Sequence, residues 1–221
     1  MFKQIYERTS KMAYQIFKSR NSRNKRWFPI IRLLKDKRQG VDFYTTEKTA
    51  EAGHSDYVPT STLYDRHLKK FLRRRDHSRD SVIDVGCGKG RMLEVFHSYG
   101  FSRVDGLEYS PEMSETAREN MKKLGLSSEI FTGDAAEFDG YDDYNWFYLF
   151  NPFGMDIMRE FLGKLEESLR HRPRAVTILY ANPRCESVFA DAGFHIEDLT
   201  RGKGLISLIT NEGVPSGMPL G

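Results

Sequence analysis

The chain has 221 residues, a formal net charge of +3 and two cysteines, Cys87 and Cys185. That length supports one full core with an appendage, and two cysteines do not make a disulfide framework, so a reducing, cytoplasmic compartment is expected. No apolar run reaches the length of a membrane span, and the six histidines lack zinc-type spacing, so no metal is expected.

The charge is unevenly placed. Residues 1–38 hold twelve Lys and Arg against Glu7 and Asp36, a net +10, so the remaining residues carry −7. Phe2, Ile5, Tyr6, Met12, Ile16 and Phe17 roughly follow a helical stripe, and Trp27 to Leu34 form a second apolar group around Pro29. A basic amphipathic arm of this kind lies on an anionic membrane, binds nucleic acid, guides import, or packs on the body with a solvated basic face. The first would make a cytoplasmic protein peripheral at a membrane. The chain thus divides into a basic helical arm and connecting loop (1–60, the loop from about residue 39), a main domain (61–212) and a flexible tail rich in Gly, Pro and Ser (213–221).

The main domain opens with a helix over Thr62 to Arg75. Ser81 to Val85 then reads as a buried strand, followed by a turn with Gly86, Gly88 and Gly90 at every second position and a helix with Met92, Leu93, Val95 and Phe96 on its apolar side. Such a turn lets a ligand lie against the backbone without meeting a Cβ, and the helix start behind it presents free N–H groups. Asp84, two residues before the first glycine, would repel a pyrophosphate and suits a cation. Val104 to Tyr109 reads as a second strand ending at Glu108, with Ser110-Pro111 starting the next helix. An acid about 20 residues past the glycines is placed to accept ribose hydroxyls. A third strand, Glu129 to Thr132, ends at Gly133-Asp134-Ala135. A fourth, Tyr144 to Phe150, breaks at Asn151-Pro152-Phe153-Gly154. A helix from Ile157 to Leu169, a fifth strand at Ala175–Tyr180 and a short helix closing at Gly193 follow. Two last strands, 194–199 and 205–210, are joined by a Gly202-Lys203-Gly204 loop. Alternating strands and helices imply an α/β fold, a Rossmann-like, seven-stranded, mostly parallel sheet covered on both faces with an antiparallel last strand.

The acid-x-Gly-x-Gly-x-Gly pattern at Asp84–Gly90 resembles motif I of the class I S-adenosylmethionine (SAM)-dependent methyltransferases. The likeness runs from residue 81 to about 210. It extends upstream through Tyr57-Val58-Pro59-Thr60-Ser61, because one group of these enzymes combines such a segment with an acid-x-Gly-Cys-Gly-Lys-Gly-Arg loop and a Phe-Asn-Pro-Phe turn. The resemblance implies SAM as cofactor. Asp84 would hold its amino-acid end, Gly86, Gly88 and Gly90 would let it approach the backbone, and Glu108 would hold the ribose. Tyr109 would lie along the adenine, and Asp134, with Ala135 beside it, would meet the adenine amino group. Asn151-Pro152-Phe153 resembles the Asn-Pro-Pro-aromatic motif of amino-methylating enzymes, with the second Pro absent. That implies a nitrogen acceptor bound by the Asn151 side chain and the Pro152 carbonyl, with Phe153 stacked on it. Tyr57, Tyr180 and Asn182 are weaker candidates for the pocket wall. Two other readings stay open: an NAD(P)-dependent oxidoreductase on a related fold, and a non-enzymatic membrane or nucleic-acid adaptor that uses the arm. The acceptor itself is not identified by the sequence.

Overall fold

The apolar runs and helical stripes fold into alternating strands and helices. The computed structural model describes residues 35–43 and 62–211. The arm before Lys35, the segment holding Tyr57 and the 213–221 tail lie outside the described residues. In chain order the elements are α1 (Thr62–Leu72), β1 (Ser81–Val85), α2 (Arg91–Ser98), β2 (Arg103–Glu108), α3 (Pro111–Leu124), β3 (Ile130–Thr132), β4 (Trp146–Phe150), α4 (Met155–His171), β5 (Thr177–Ala181), α5 (Ser187–Asp191), β6 (His195–Asp198) and β7 (Ile206–Thr210). They build one seven-stranded sheet in the order β3-β2-β1-β4-β5-β7-β6. The first five strands pair in parallel, and β7 runs antiparallel to both β5 and β6. The expected mostly parallel sheet with a reversed last strand is therefore observed.

Period-two alternation assigns the strand residues to two cores. Trp146 and Tyr148 of β4 face one side, packed with Met92, Phe96, Leu68 and Leu72. Phe147 and Leu149 face the other, packed with Met158, Phe161 and Leu165 of α4. Both faces are covered, which is why the strands read as unbroken apolar runs. Local chemistry sets the helix ends. The Ser110 hydroxyl accepts the Met113 N–H at 3.3 Å at the start of α3, Pro111 holds the first turn, and Gly125 closes the helix at φ 66°. The rim away from the crevice is stitched by Asn145. Its side chain accepts the Ser81 N–H (2.8 Å) and donates to Asp80 (2.9 Å), while its carbonyl accepts from Thr177 (2.9 Å).

One expectation needs correction. The connecting loop expected from about residue 39 includes part of the core. Val41 and Phe43 are buried, Phe43 completely. Residues 35–39 are helical, and Asp36 accepts the Phe43 N–H at 3.3 Å, folding the segment on itself. Asn120 of α3, wholly buried, accepts the Asp42 N–H (2.9 Å) and donates to the Asp42 carbonyl (2.9 Å) and the Lys89 carbonyl (3.0 Å). Lys89, 1% exposed, reaches Asp42 at 2.9 Å. The segment is thereby fastened to the glycine turn itself.

Candidate active site

The strand order reverses at β1, between β2 and β4, and in open α/β sheets ligands bind in the crevice beyond the carboxyl ends of the strands at such a point. The turn after β1 is anchored to β2, because the N–H groups of Gly86 and Cys87 both donate to the Leu107 carbonyl (2.8 and 3.0 Å). Gly86, Gly88 and Gly90 have φ of 78°, 54° and 81°, the left-handed region that glycine enters without a Cβ penalty. At Gly86 space adds to conformation: a Cβ there would stand 2.5 Å from the Cβ of Pro152. The glycine turn and the Asn151-Pro152 turn are thus in contact, although 66 positions separate Gly86 from Pro152. A second close approach lies beneath the turn, where a Cβ on Gly106 would meet the Cys87 sulfur at 2.6 Å. Gly106 is not among the candidates that the motifs supply; its only signal is a glycine inside an apolar strand.

Two acids lie under the turn. Asp84 is 3% exposed. Burial, and then the neighbouring charge of Glu108, push its carboxyl well above the usual range. Among the described residues the Asp84 carboxyl accepts no hydrogen bond. Glu108 ends β2 and is also buried. Its Oε2 accepts the Gly88 N–H at 2.8 Å and its Oε1 the Ser110 N–H at 2.9 Å. A carboxylate oxygen can accept more than one hydrogen bond, so a group that clamps the turn is chemically able to receive a ribose hydroxyl as well. The same burial and the two acids raise the Cys87 thiol well above its ordinary value, which keeps it protonated and unreactive.

The remaining candidates gather along the same rim. Tyr109 follows β2 half-buried. After β3, Asp134 is half-buried and accepts the Ala136 N–H at 2.9 Å, while the Ala135 carbonyl accepts the Tyr141 hydroxyl at 2.8 Å. At the ends of the neighbouring strands β4 and β5 stand two matching turns, Asn151-Pro152 and Asn182-Pro183. Both asparagines are left-handed, with φ of 43° and 51°. They follow Phe150 and Ala181, which pair directly, so the two amides occupy the same level of the crevice. The Asn151 Oδ1 accepts the Tyr180 hydroxyl at 3.2 Å. Phe153 departs from its expected role. It is 4% exposed and packs on Phe161 with ring centroids 6.1 Å apart, so its ring supports the turn from the core instead of presenting a face to an acceptor.

A nucleotide-like cation fits this cradle. A buried acid without a hydrogen-bond donor, next to a second buried acid, is electrostatically unsatisfied, and a bound cation relieves it. SAM carries an ammonium and a sulfonium. A pyrophosphate would meet both negative groups at close range.

The methyltransferase-domain family matches residues 82–172. The chain is similar to the ribosomal protein L11 methyltransferase of Thermotoga neapolitana, at 33% identity over 86 residues, 38% of this chain and 31% of the relative. It is similar to the human EEF1A lysine methyltransferase 2, at 38% identity over 48 residues, 22% of this chain and 20% of the relative. The chain thus spans a third or less of the length of these curated relatives. Its fold resembles that of SAM-bound CalS10, an amino pentose methyltransferase from Micromonospora echinaspora, with TM-score 0.52 and 15% identity over 69% of this chain and 92% of that one. Sheet order, glycine turn and acid pair agree with the family match: residues 82–172 carry a methyltransferase domain, set in a sheet with the fold of SAM-dependent methyltransferases.

Proposed function

We propose that this protein transfers a methyl group from SAM to a nitrogen acceptor. The observation that carries the reading is the contact of Gly86 with Pro152, which puts the cofactor cradle against the Asn151-Pro152 turn. In this reading Asp84 receives the ammonium end and Gly86, Gly88 and Gly90 let the cofactor lie on the backbone. Glu108 takes the ribose, Asp134 the adenine amino group, and Tyr109 and Ala135 line the ring. When bound, SAM supplies a methyl carbon activated by its sulfonium. What the chain must add is chiefly alignment, which supplies much of the rate in a displacement of this kind. Asn151 and the Pro152 carbonyl would accept hydrogen bonds from the acceptor nitrogen and point its lone pair. A strong general base is not required, and the buried, raised Cys87 and Tyr180 do not offer one.

Two relatives are named for protein acceptors, ribosomal protein L11 and a lysine of EEF1A, which favours a protein side chain as the acceptor class. The +10 charge of residues 1–38 would add attraction to an anionic partner, a nucleic acid or a membrane surface. Among the described residues no helix is long and apolar enough to cross a membrane.

Transfer from methyl-labelled SAM into cell extract, with mass spectrometry of the labelled product, tests the proposal. A methylated nitrogen is expected, and methyl on oxygen or carbon would refute the acceptor assignment. Thermal stabilisation by SAM and S-adenosylhomocysteine but not by NAD is expected. The reverse would restore the oxidoreductase reading, and no labelled product in any extract would favour the adaptor.

A further inference from the structure

Tyr180 sits in β5 without exposed surface, its ring 6.1 Å from that of Phe189. Its hydroxyl accepts the Cys185 N–H at 3.2 Å. That bond fixes the oxygen and leaves its one proton to donate, and the acceptor in reach is Asn151 Oδ1 at 3.2 Å. Burial pushes the phenol up, so the proton is retained across the physiological range. The chain of bonds runs from the β5–α5 loop, through a core phenol, to the end of β4. It determines how the amide is turned. Oδ1 faces the phenol, and among the described residues Nδ2 donates to no group. A tyrosine serving only the core would need no such partner, since a phenylalanine fills the same volume. Asparagine at a φ of 43° is one of the few non-glycine residues suited to that backbone. The backbone alone accounts for the residue type there, and the phenol accounts for the orientation of its side chain.

We propose that Tyr180 is a positioning residue whose hydroxyl fixes the Asn151 amide, so that Nδ2 and the remaining Oδ1 lone pair are offered to the acceptor beside the cofactor. The inference rests on the reading of Asn151 as an acceptor-binding residue. It adds a specificity consequence: a group able both to donate to Oδ1 and to accept from Nδ2, such as a primary amide or an amine beside a carbonyl, matches the fixed asparagine.

The test needs no identified acceptor. Sinefungin carries an amine-bearing carbon where SAM carries its methylsulfonium, and S-adenosylhomocysteine carries a neutral thioether without the methyl. The ratio of their affinities, measured by calorimetry on the full chain, reads the environment of the transferring methyl. The wild type is expected to prefer sinefungin. Tyr180→Phe should reduce that preference by up to about tenfold, the scale of a lost neutral hydrogen bond, with S-adenosylhomocysteine affinity held within about twofold. Asn151→Ala should reduce it as well, and adding Tyr180→Phe to Asn151→Ala should change nothing more. A purely structural tyrosine would lower the melting temperature and leave the ratio untouched, which would overturn the proposal. If the wild type binds neither compound, the cofactor reading falls first and takes this one with it. A measurement independent of the phenylalanine variant is the Tyr180 13Cζ shift. It should move in Asn151→Ala, and an unmoved shift overturns the inference even if Tyr180→Phe does not fold.

Discussion

At Asp84 stability and the proposed cofactor role pull in opposite directions. Burial and Glu108 raise its carboxyl pKa in the folded chain. Its contribution to stability is therefore complete below the unfolded value and is lost as pH rises through the folded one. In the ligand-free protein the raised carboxyl holds its proton over a wider pH range than a free aspartate does. A bound cation favours the ionised form and so opposes both causes of the shift, so SAM binding should release a proton, and affinity should climb with pH across that window. Asp84→Asn keeps the shape and deletes the charge. The ligand-free variant should melt higher, by about 2–4 °C for each kcal/mol relieved in a domain of this size. Its SAM affinity should fall about ten- to a hundredfold. Scanning calorimetry and titration in buffers of different ionisation enthalpy measure both effects. A variant that neither gains stability nor loses affinity would remove Asp84 from the site. Asp84 was a candidate from sequence because an acid before glycines repels one cofactor class and suits another, and the structure buries it under the turn. The core position of Phe153 was not, because a four-residue turn does not reveal which side of the sheet its aromatic enters.

Among elements, strands and helices followed from periodicity to within one or two residues at most ends, and the antiparallel β6–β7 pair was visible as two strands across a glycine loop. The docked segment 35–43 was not. It has one helical turn and too few apolar positions for a period to emerge, and its partners Lys89 and Asn120 lie 47 and 78 residues from Asp42. The trace it left was Asn120, a polar residue on the buried stripe of α3. This segment ties three elements together at the glycine turn, which leads to two expectations. Phe43→Ala should cost about 3–5 kcal/mol, as for other buried aromatics. Asn120→Ala should cost about 1–3 kcal/mol for each buried group it strands, here the Asp42 N–H and two carbonyls. It should also weaken SAM binding, because one of those carbonyls belongs to Lys89 in the turn. Denaturant melts with and without SAM separate the two effects. If the ligand-induced shift in midpoint is unchanged in Asn120→Ala, the segment stabilises the body without shaping the cradle.

At the scale of the molecule, charge is divided as the sequence indicated, and the docked segment shows where to cut. Residues 1–34 hold nine Lys and Arg against Glu7, a net +8, so a chain beginning at Lys35 carries −5 of the total +3. Such a chain retains Asp36, Val41, Asp42 and Phe43, hence the clamp on Lys89. It also retains Lys35, which pairs with Glu94 at 2.8 Å on the exposed side of α2. The cut therefore tests the arm without removing described core contacts. If the arm recruits an anionic partner, the full chain should sediment with anionic vesicles or with RNA at low salt, and the shortened chain with neither. The binding should fall steeply between low and moderate salt, because exposed charges are screened over about 8–10 Å near physiological ionic strength and each phosphate neutralised adds to the salt slope. An arm that packs on the body through its apolar residues would behave differently. Its attachment would resist salt, and its removal would expose apolar surface and lower solubility. Full-length protein that binds neither vesicles nor RNA at low salt, together with a shortened chain that aggregates, would make the arm a structural part of the fold and end the recruitment reading.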